Sequence, residues 1–213
     1  MELNRFKRRP LMGIVRGITL EDLEPVVTHA IDAGLETLEI TMNTDGAADL
    51  IARTREIAGD SLTLGAGTVL DRRGLDLALA AGASFIVLPV LIDEVVSRCV
   101  ERGVPVFPGA LTPTEVAAAW RAGAAMVKVF PAKAFGPTYF GELKGPFADL
   151  RLLACGGVSA ENLAAYARGG ADAFAFGASV FRSDWIAAGE YARIGQGISD
   201  LVDAYDEAVG KQG

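Results

Sequence analysis

Two charged residues stand in segments where charge is costly. Lys128 lies within Met126-Val127-Lys128-Val129-Phe130-Pro131, and Glu39 lies within Thr37-Leu38-Glu39-Ile40-Thr41. If both segments are strands, alternation sets Val127 and Val129 on one face and Lys128 on the other, and separates Leu38 and Ile40 from Glu39 in the same way. Burial disfavours an ammonium and lowers its pKa, and the neutral amine is a nucleophile toward carbonyl carbon. A nearby carboxyl group can move the protons that such an addition requires. A plainer account also fits: a lysine snorkelling to the strand edge, or a structural ion pair between the two.

Other candidates bind rather than react. Cys155-Gly156-Gly157-Val158 and Phe176-Gly177-Ala178-Ser179 are short turns of small residues, each following an apolar run. Small residues let a phosphate approach backbone N–H groups, and Ser179 adds a hydroxyl, although a glycine pair is also an ordinary turn. Arg16, Gly67 and Thr68 have the chemistry to hold a carboxylate through a guanidinium, a hydroxyl and adjacent amides; alone, Arg16 reads equally as a surface residue. Asn43 could bond a substrate hydroxyl or cap a helix. His29 reads as a surface or packing residue, and Lys133, Lys144, Trp120 and Trp185 give no sharper signal than ordinary positions.

These residues need a scaffold that brings strand ends together. Short apolar or β-branched runs at 11–15, 37–41, 63–65, 85–88, 104–107, 126–129, 151–154 and 173–176 alternate with Ala/Leu-rich helical stretches, the pattern of βα units on a parallel sheet. Gly34, Gly82, Gly103, Gly123 and Gly170 read as helix C-caps, and Thr19, Thr112 and Ser159 as N-caps. Eight units at about 27 residues each make a lean (β/α)8 TIM barrel, an α/β fold occupying 1–213 as a single domain. Apolar positions from Ile194 to Val209 predict an amphipathic closing helix. A doubly wound sheet is the alternative, disfavoured because no GxGxxG follows the first strand. In a barrel the C-terminal strand ends carry the site, and the second and sixth strands contribute to one interior layer, so Glu39 and Lys128 are expected to approach each other.

Composition narrows the chemistry. The chain has 213 residues, 51% of them hydrophobic and 22% charged, which suits a sizeable core. Its net charge of -7 disfavours a duplex nucleic-acid binder, and its apolar runs are too short to span a bilayer. No signal-peptide core follows Arg5, Lys7, Arg8 and Arg9, so the cytoplasm is the expected location. Cys99 and Cys155 are expected as buried thiols. With a single histidine, a His-based zinc site or a Ser/His/Asp centre is ruled out. The proposed chemistry requires no metal or cofactor.

Taken in order and spacing, Ile14-Val15-Arg16-Gly17-Ile18-Thr19, Leu38-Glu39-Ile40-Thr41, Gly65-Ala66-Gly67-Thr68-Val69, Lys128-Val129-Phe130-Pro131-Ala132 and Cys155-Gly156-Gly157-Val158 resemble the 2-keto-3-deoxy-6-phosphogluconate/phosphogalactonate aldolases over nearly the whole chain. The resemblance implies a class I aldolase that reversibly cleaves a phosphorylated keto acid to pyruvate and glyceraldehyde 3-phosphate, usually as a homotrimer. It implies Lys128 as the Schiff-base residue and Glu39 as the general acid/base. Thr68 and Arg16 would hold the pyruvyl carboxylate, Gly156, Gly157, Gly177 and Ser179, with Ala178 beside them, would bind phosphate, and Pro89 and Phe130 would line the pocket. Two departures bear on the substrate. Asn43 stands where phosphogluconate-type members carry Arg, and Cys155 stands where that type has Thr and the galactonate type Val. Together with Phe135-Gly136-Pro137, these lean toward the galactonate C4 epimer, with both epimers admissible. A phosphate-binding isomerase or epimerase using Glu39 alone, and a non-catalytic sugar-phosphate-binding module, are the rival readings.

Overall fold

The computed structural model describes residues 3–147 and 149–210, and the other positions of the expected 1–213 domain lie outside the described residues. Nine parallel strands alternate with helices: β1 (Leu11–Val15), β2 (Thr37–Thr41), β3 (Thr63–Gly67), β4 (Ile86–Val87), β5 (Val106–Phe107), β6 (Gly109–Ala110), β7 (Val127–Val129), β8 (Leu152–Cys155) and β9 (Ala173–Phe176). The helices are α1 (Asn4–Arg8), α2 (Leu20–Asp32), α3 (Ala47–Ala58), α4 (Arg72–Ala80), α5 (Asp93–Glu101), α6 (Pro113–Arg121), α7 (Tyr139–Lys144), α8 (Ala160–Arg168), α9 (Ser183–Ala187) and α10 (Tyr191–Gly210).

Eight strands were expected and nine segments are found because Pro108 interrupts the fifth. Proline has no N–H to give to a ladder. Strand order runs β5-β4-β3-β2-β1-β9-β8-β7-β6, so the two ends of the sheet are the two halves of one strand. Phe107 O accepts from Leu88 N on one side, and Pro108 O accepts from Lys128 N on the other, at 3.1 and 2.9 Å. The sheet thereby curls into a nearly closed (β/α)8 barrel.

The apolar residues sort into two clusters, as period-two alternation requires. Leu38, Ile40, Val127, Val129, Leu152, Ala154, Phe174 and Phe176 pack with the helices outside the sheet. Met12, Phe85, Val87, Phe107, Met126, Leu153, Cys155, Ala173 and Ala175 fill the interior. Helix α1, which no sequence signal announced, closes the N-terminal end: Leu3 and Phe6 join the inner cluster, and the Phe6 ring meets Phe107 edge-on with centroids 5.6 Å apart. Burying Phe6 contributes about 2 kcal/mol. With that end sealed by hydrocarbon, polar interior side chains have access only to the C-terminal end.

Local signals set the helix limits. Thr19 Oγ1 accepts from Asp22 N, and Thr112 and Glu115 form a reciprocal capping box. Ser159 N donates to Asn162 Oδ1 at 2.9 Å. The five expected C-cap glycines, Gly34, Gly82, Gly103, Gly123 and Gly170, all have positive φ, which they adopt without the Cβ penalty. Helix α10 buries Ile194, Ile198, Leu201 and Val202 along the expected stripe.

Candidate active site

Alternation delivers Lys128 and Glu39 to the interior. Lys128 is paired in register with Gly109 on one side and Leu153 on the other, and it is 8% exposed. Glu39, between Ile14 and Gly65 in register, is 1% exposed. Burial pushes the Glu39 carboxyl above its ordinary range, while the positive charges of Lys128 and Arg16 pull it back. Its Oε2 has no hydrogen-bond partner. A structural ion pair would satisfy that oxygen; here an acceptor stands unpaired inside the barrel. Lys128 Nζ lies 5.3 Å from the centroid of the Phe130 ring and within reach of the Cys155 thiol, whose pKa is raised by burial and lowered by the neighbouring ammonium.

The glutamate's position depends on a residue with no side chain. A Cβ added at Gly67 would stand 2.6 Å from Glu39 Cδ and nearer still to Oε1. The carboxyl therefore occupies the space that any larger residue would take, a role for Gly67 not evident from its sequence context. Next to it, Thr68 has φ 54°, a left-handed conformation unusual for a β-branched residue and costing about 1–3 kcal/mol. Its Oγ1 accepts from Arg16 Nη2 at 3.2 Å, so the expected carboxylate-holding pair is assembled at the ends of β1 and β3. The rest of the exposed Arg16 fork stays open.

Two hydroxyls support this pair, one on Thr41 and one on Thr44, which sequence reasoning passed over. Thr44 Oγ1 accepts from Gly17 N at 3.0 Å and lies 3.0 Å from Thr41 Oγ1. Both threonines are buried, so the bonds tie the turn after β1 to the end of β2, directly behind Arg16. The i,i+3 threonines were the available signal. Met42 N, donating to Gly67 O at 2.7 Å, fixes β2 to β3 at the same level.

A cleft of about 570 Å³ opens over β7, β8 and β9, and Arg16, Phe130, Cys155, Gly156, Gly157, Gly177, Ala178 and Ser179 all line it. Lys128 is not among its lining residues; it lies behind two that are, with Nζ 5.3 Å from the centroid of the Phe130 ring and within reach of the Cys155 thiol. Gly156 and Gly157 have φ of 90° and 96°, a turn open only to residues tolerant of positive φ. Asn162 Nδ2 holds the Gly157 carbonyl at 2.7 Å, and Ser179 Oγ donates to Val158 O at 3.3 Å, joining the two small-residue turns. Glu39, Gly67, Thr68 and Lys128 do not line it, and neither do Pro89 and Asn43. Pro89 lines a separate cleft of about 280 Å³ that shares Phe130, and Asn43 is exposed in the turn after β2 and lines neither. His29 sits on α2 with Nδ1 2.8 Å from Pro25 O, and both cysteines are free and buried. Among the described residues, no helix is long and apolar enough to cross a membrane.

Fold and site thus define a (β/α)8-barrel protein with a buried amine and carboxyl at one end and a glycine-rich cleft above them. A family model described as KDPG and KHG aldolase matches residues 3–197, and the chain belongs to that family. It is 37% identical over 201 residues to the 2-dehydro-3-deoxy-6-phosphogalactonate aldolase of Escherichia coli (strain K12), covering 94% of this chain and 96% of that one. It is 35% identical over 193 residues to the 2-dehydro-3-deoxy-phosphogluconate aldolase of Treponema pallidum (strain Nichols), covering 90% of each. A solved structure described as native KDPGal matches with a TM-score of 0.89 at 37% identity, over 94% of this chain and 96% of that one.

Proposed function

We propose that the protein is a class I aldolase. It reversibly cleaves 2-dehydro-3-deoxy-6-phosphogalactonate, and more weakly its phosphogluconate epimer, to pyruvate and D-glyceraldehyde 3-phosphate. The observation that carries this reading is the buried Glu39 carboxyl, unpaired at Oε2 among the described residues and under the field of Lys128.

The chemistry follows from these positions. Lys128 adds to the C2 ketone, and loss of water leaves a protonated imine that accepts electrons from the C3–C4 bond. Glu39, directly or through water, takes the proton from the C4 hydroxyl as that bond breaks, which releases the aldehyde and leaves an enamine. Returning the proton to C3 and hydrolysing the imine frees pyruvate and the amine. A carboxyl held above its ordinary pKa is suited to both halves of this proton exchange. Arg16 and Thr68 orient the keto-acid carboxylate, and the turns at Gly156, Gly157, Gly177, Ala178 and Ser179 receive the phosphate. Phe130 covers the amine. Cys155 offers no strong donor to a sugar hydroxyl, which supports the galactonate preference. Kinship further supports a homotrimer of 1–213 single-domain chains acting in the cytoplasm.

Borohydride reduction in the presence of pyruvate should leave one covalent adduct, mapping to the peptide that contains Lys128. An adduct on another lysine, or full pyruvate release by Lys128→Ala on both epimers in a lactate dehydrogenase-coupled assay, would overturn the assignment.

A further inference from the structure

The turns after β8 and β9 offer a phosphate only neutral groups: backbone N–H donors and the Ser179 hydroxyl. A phosphomonoester carries nearly two negative charges at pH 7, in a chain whose own net charge is -7. Among the described residues, Arg16 is the one charged side chain in the cleft wall, and its bond to Thr68 places it at the carboxylate end. The phosphate end is left without a compensating cation in the wall.

Lys133 stands beside that end. It lies in the short 3-10 turn Ala132–Ala134 that follows the strand bearing Lys128, and its N–H donates to the Gly156 carbonyl at 3.0 Å. Its side chain lies along Gly157: a Cβ added there would be 2.8 Å from Lys133 Cβ, 3.4 Å from Cγ and 3.3 Å from Cδ. The missing side chain at Gly157 therefore leaves room for the lysine stem against the same turn that lines the cleft. The residue is exposed and, among the described residues, has no acidic partner, unlike Lys144, whose Nζ is held by Asp172 at 2.7 Å. A lysine stem laid on the backbone with a free ammonium two bonds beyond Cδ is the arrangement for a point-charge contact to an anion at the mouth.

We infer that Lys133 is a specificity residue for the phosphorylated substrate, closing over its phosphate from the Gly156-Gly157 side. This rests on the aldolase reading and extends it to a residue whose sequence context looked ordinary. The contact neutralises part of the dianion and distinguishes a 6-phospho acid from its unphosphorylated counterpart.

The test compares wild type with Lys133→Met, which keeps the stem, and with Lys133→Arg, which keeps the charge. In Lys133→Met, kcat/KM for the 6-phospho substrate should fall about five-fold more than for the unphosphorylated 2-keto-3-deoxy acid, mostly through KM. Affinity for inorganic phosphate should weaken to a similar degree, Lys133→Arg should recover most of both, and added salt should narrow the gap. Equal changes on both substrates, or unaltered phosphate affinity in Lys133→Met, would overturn the role. If the wild type cleaves neither substrate, the aldolase reading fails separately, and the phosphate titration still decides the fate of Lys133.

Discussion

Gly67→Ala asks whether the glycine's purpose is to house the carboxyl proposed to be catalytic. Gly67 has no positive φ, so alanine meets no backbone penalty there and any cost comes from contact. The new Cβ would begin 2.6 Å from Glu39 Cδ and nearer still to Oε1, so reaching an ordinary contact of 3.4 Å requires the carboxyl to retreat by more than an ångström within the buried interior. Overpacking of this kind costs about 2 kcal/mol, or ~6 °C in Tm for a domain of this size. A misplacement of about an ångström in a catalytic group can lower turnover about 100-fold. The decisive assay is a four-protein cycle of wild type, Gly67→Ala, Glu39→Ala and the double variant, followed by urea unfolding and, for the glutamate-containing pair, by lactate dehydrogenase-coupled pyruvate release. Removing the carboxyl first should erase the alanine's cost, giving a coupling energy of about 2 kcal/mol between the sites. If Gly67→Ala destabilises the Glu39→Ala background as much as the wild type, the steric argument is wrong.

Two further outcomes follow from the same site. Because burial holds the Glu39 carboxyl above 4.5, the folded chain binds that proton more tightly than the unfolded chain, so stability from this group is present at low pH and is lost as pH rises past 4.5 toward the folded value. Glu39→Gln should therefore gain in Tm on the wild type as pH rises through that window, then run parallel to it, while turning over slowly; a Tm difference independent of pH would contradict the raised pKa. Thr44→Val keeps the shape and removes the hydroxyl that anchors Gly17 N, so KM for the keto acid should rise several-fold with a smaller change in kcat, and Thr44→Ser should restore it. Equal loss in Thr44→Ser and Thr44→Val would show that packing, not the hydroxyl, is what matters.

Period two made much of this site legible. Lys128 and Glu39 are each flanked by residues that the outer core claims, so their inward direction follows from Val127, Val129, Leu38 and Ile40 without reference to a ligand. The glycine-rich ends of β8 and β9 were readable because positive φ and close approach select small residues wherever they occur. What escaped detection depends on partners far apart in sequence. Helix α1 is five residues long, too short for a periodic signal, and its Phe6 has meaning only against Phe107. Pro108 looked like the end of a strand, and only the separate ladders to Leu88 and Lys128 show that the strand resumes beyond it. Gly67 earns its place through a carboxyl on the neighbouring strand.

Three unfavourable local features gather at the C-terminal end of the barrel. Thr68 adopts a left-handed backbone, Glu39 keeps an unpaired oxygen in the interior, and Lys128 is buried beside an interior cluster that includes Met126, Leu153 and Cys155. None is needed to close the barrel, since the ladder, the Phe6 plug and the outer core do that with ordinary pairs. Thr37 Oγ1, at the opposite end of β2, and Arg98 Nε, on α5, are orphaned as well. A fold selected for stability alone would hold Gln at 39 and Gly at 68. That both alternatives are refused, one on β2 and the other immediately after β3, supports the C-terminal rim as the proposed working face.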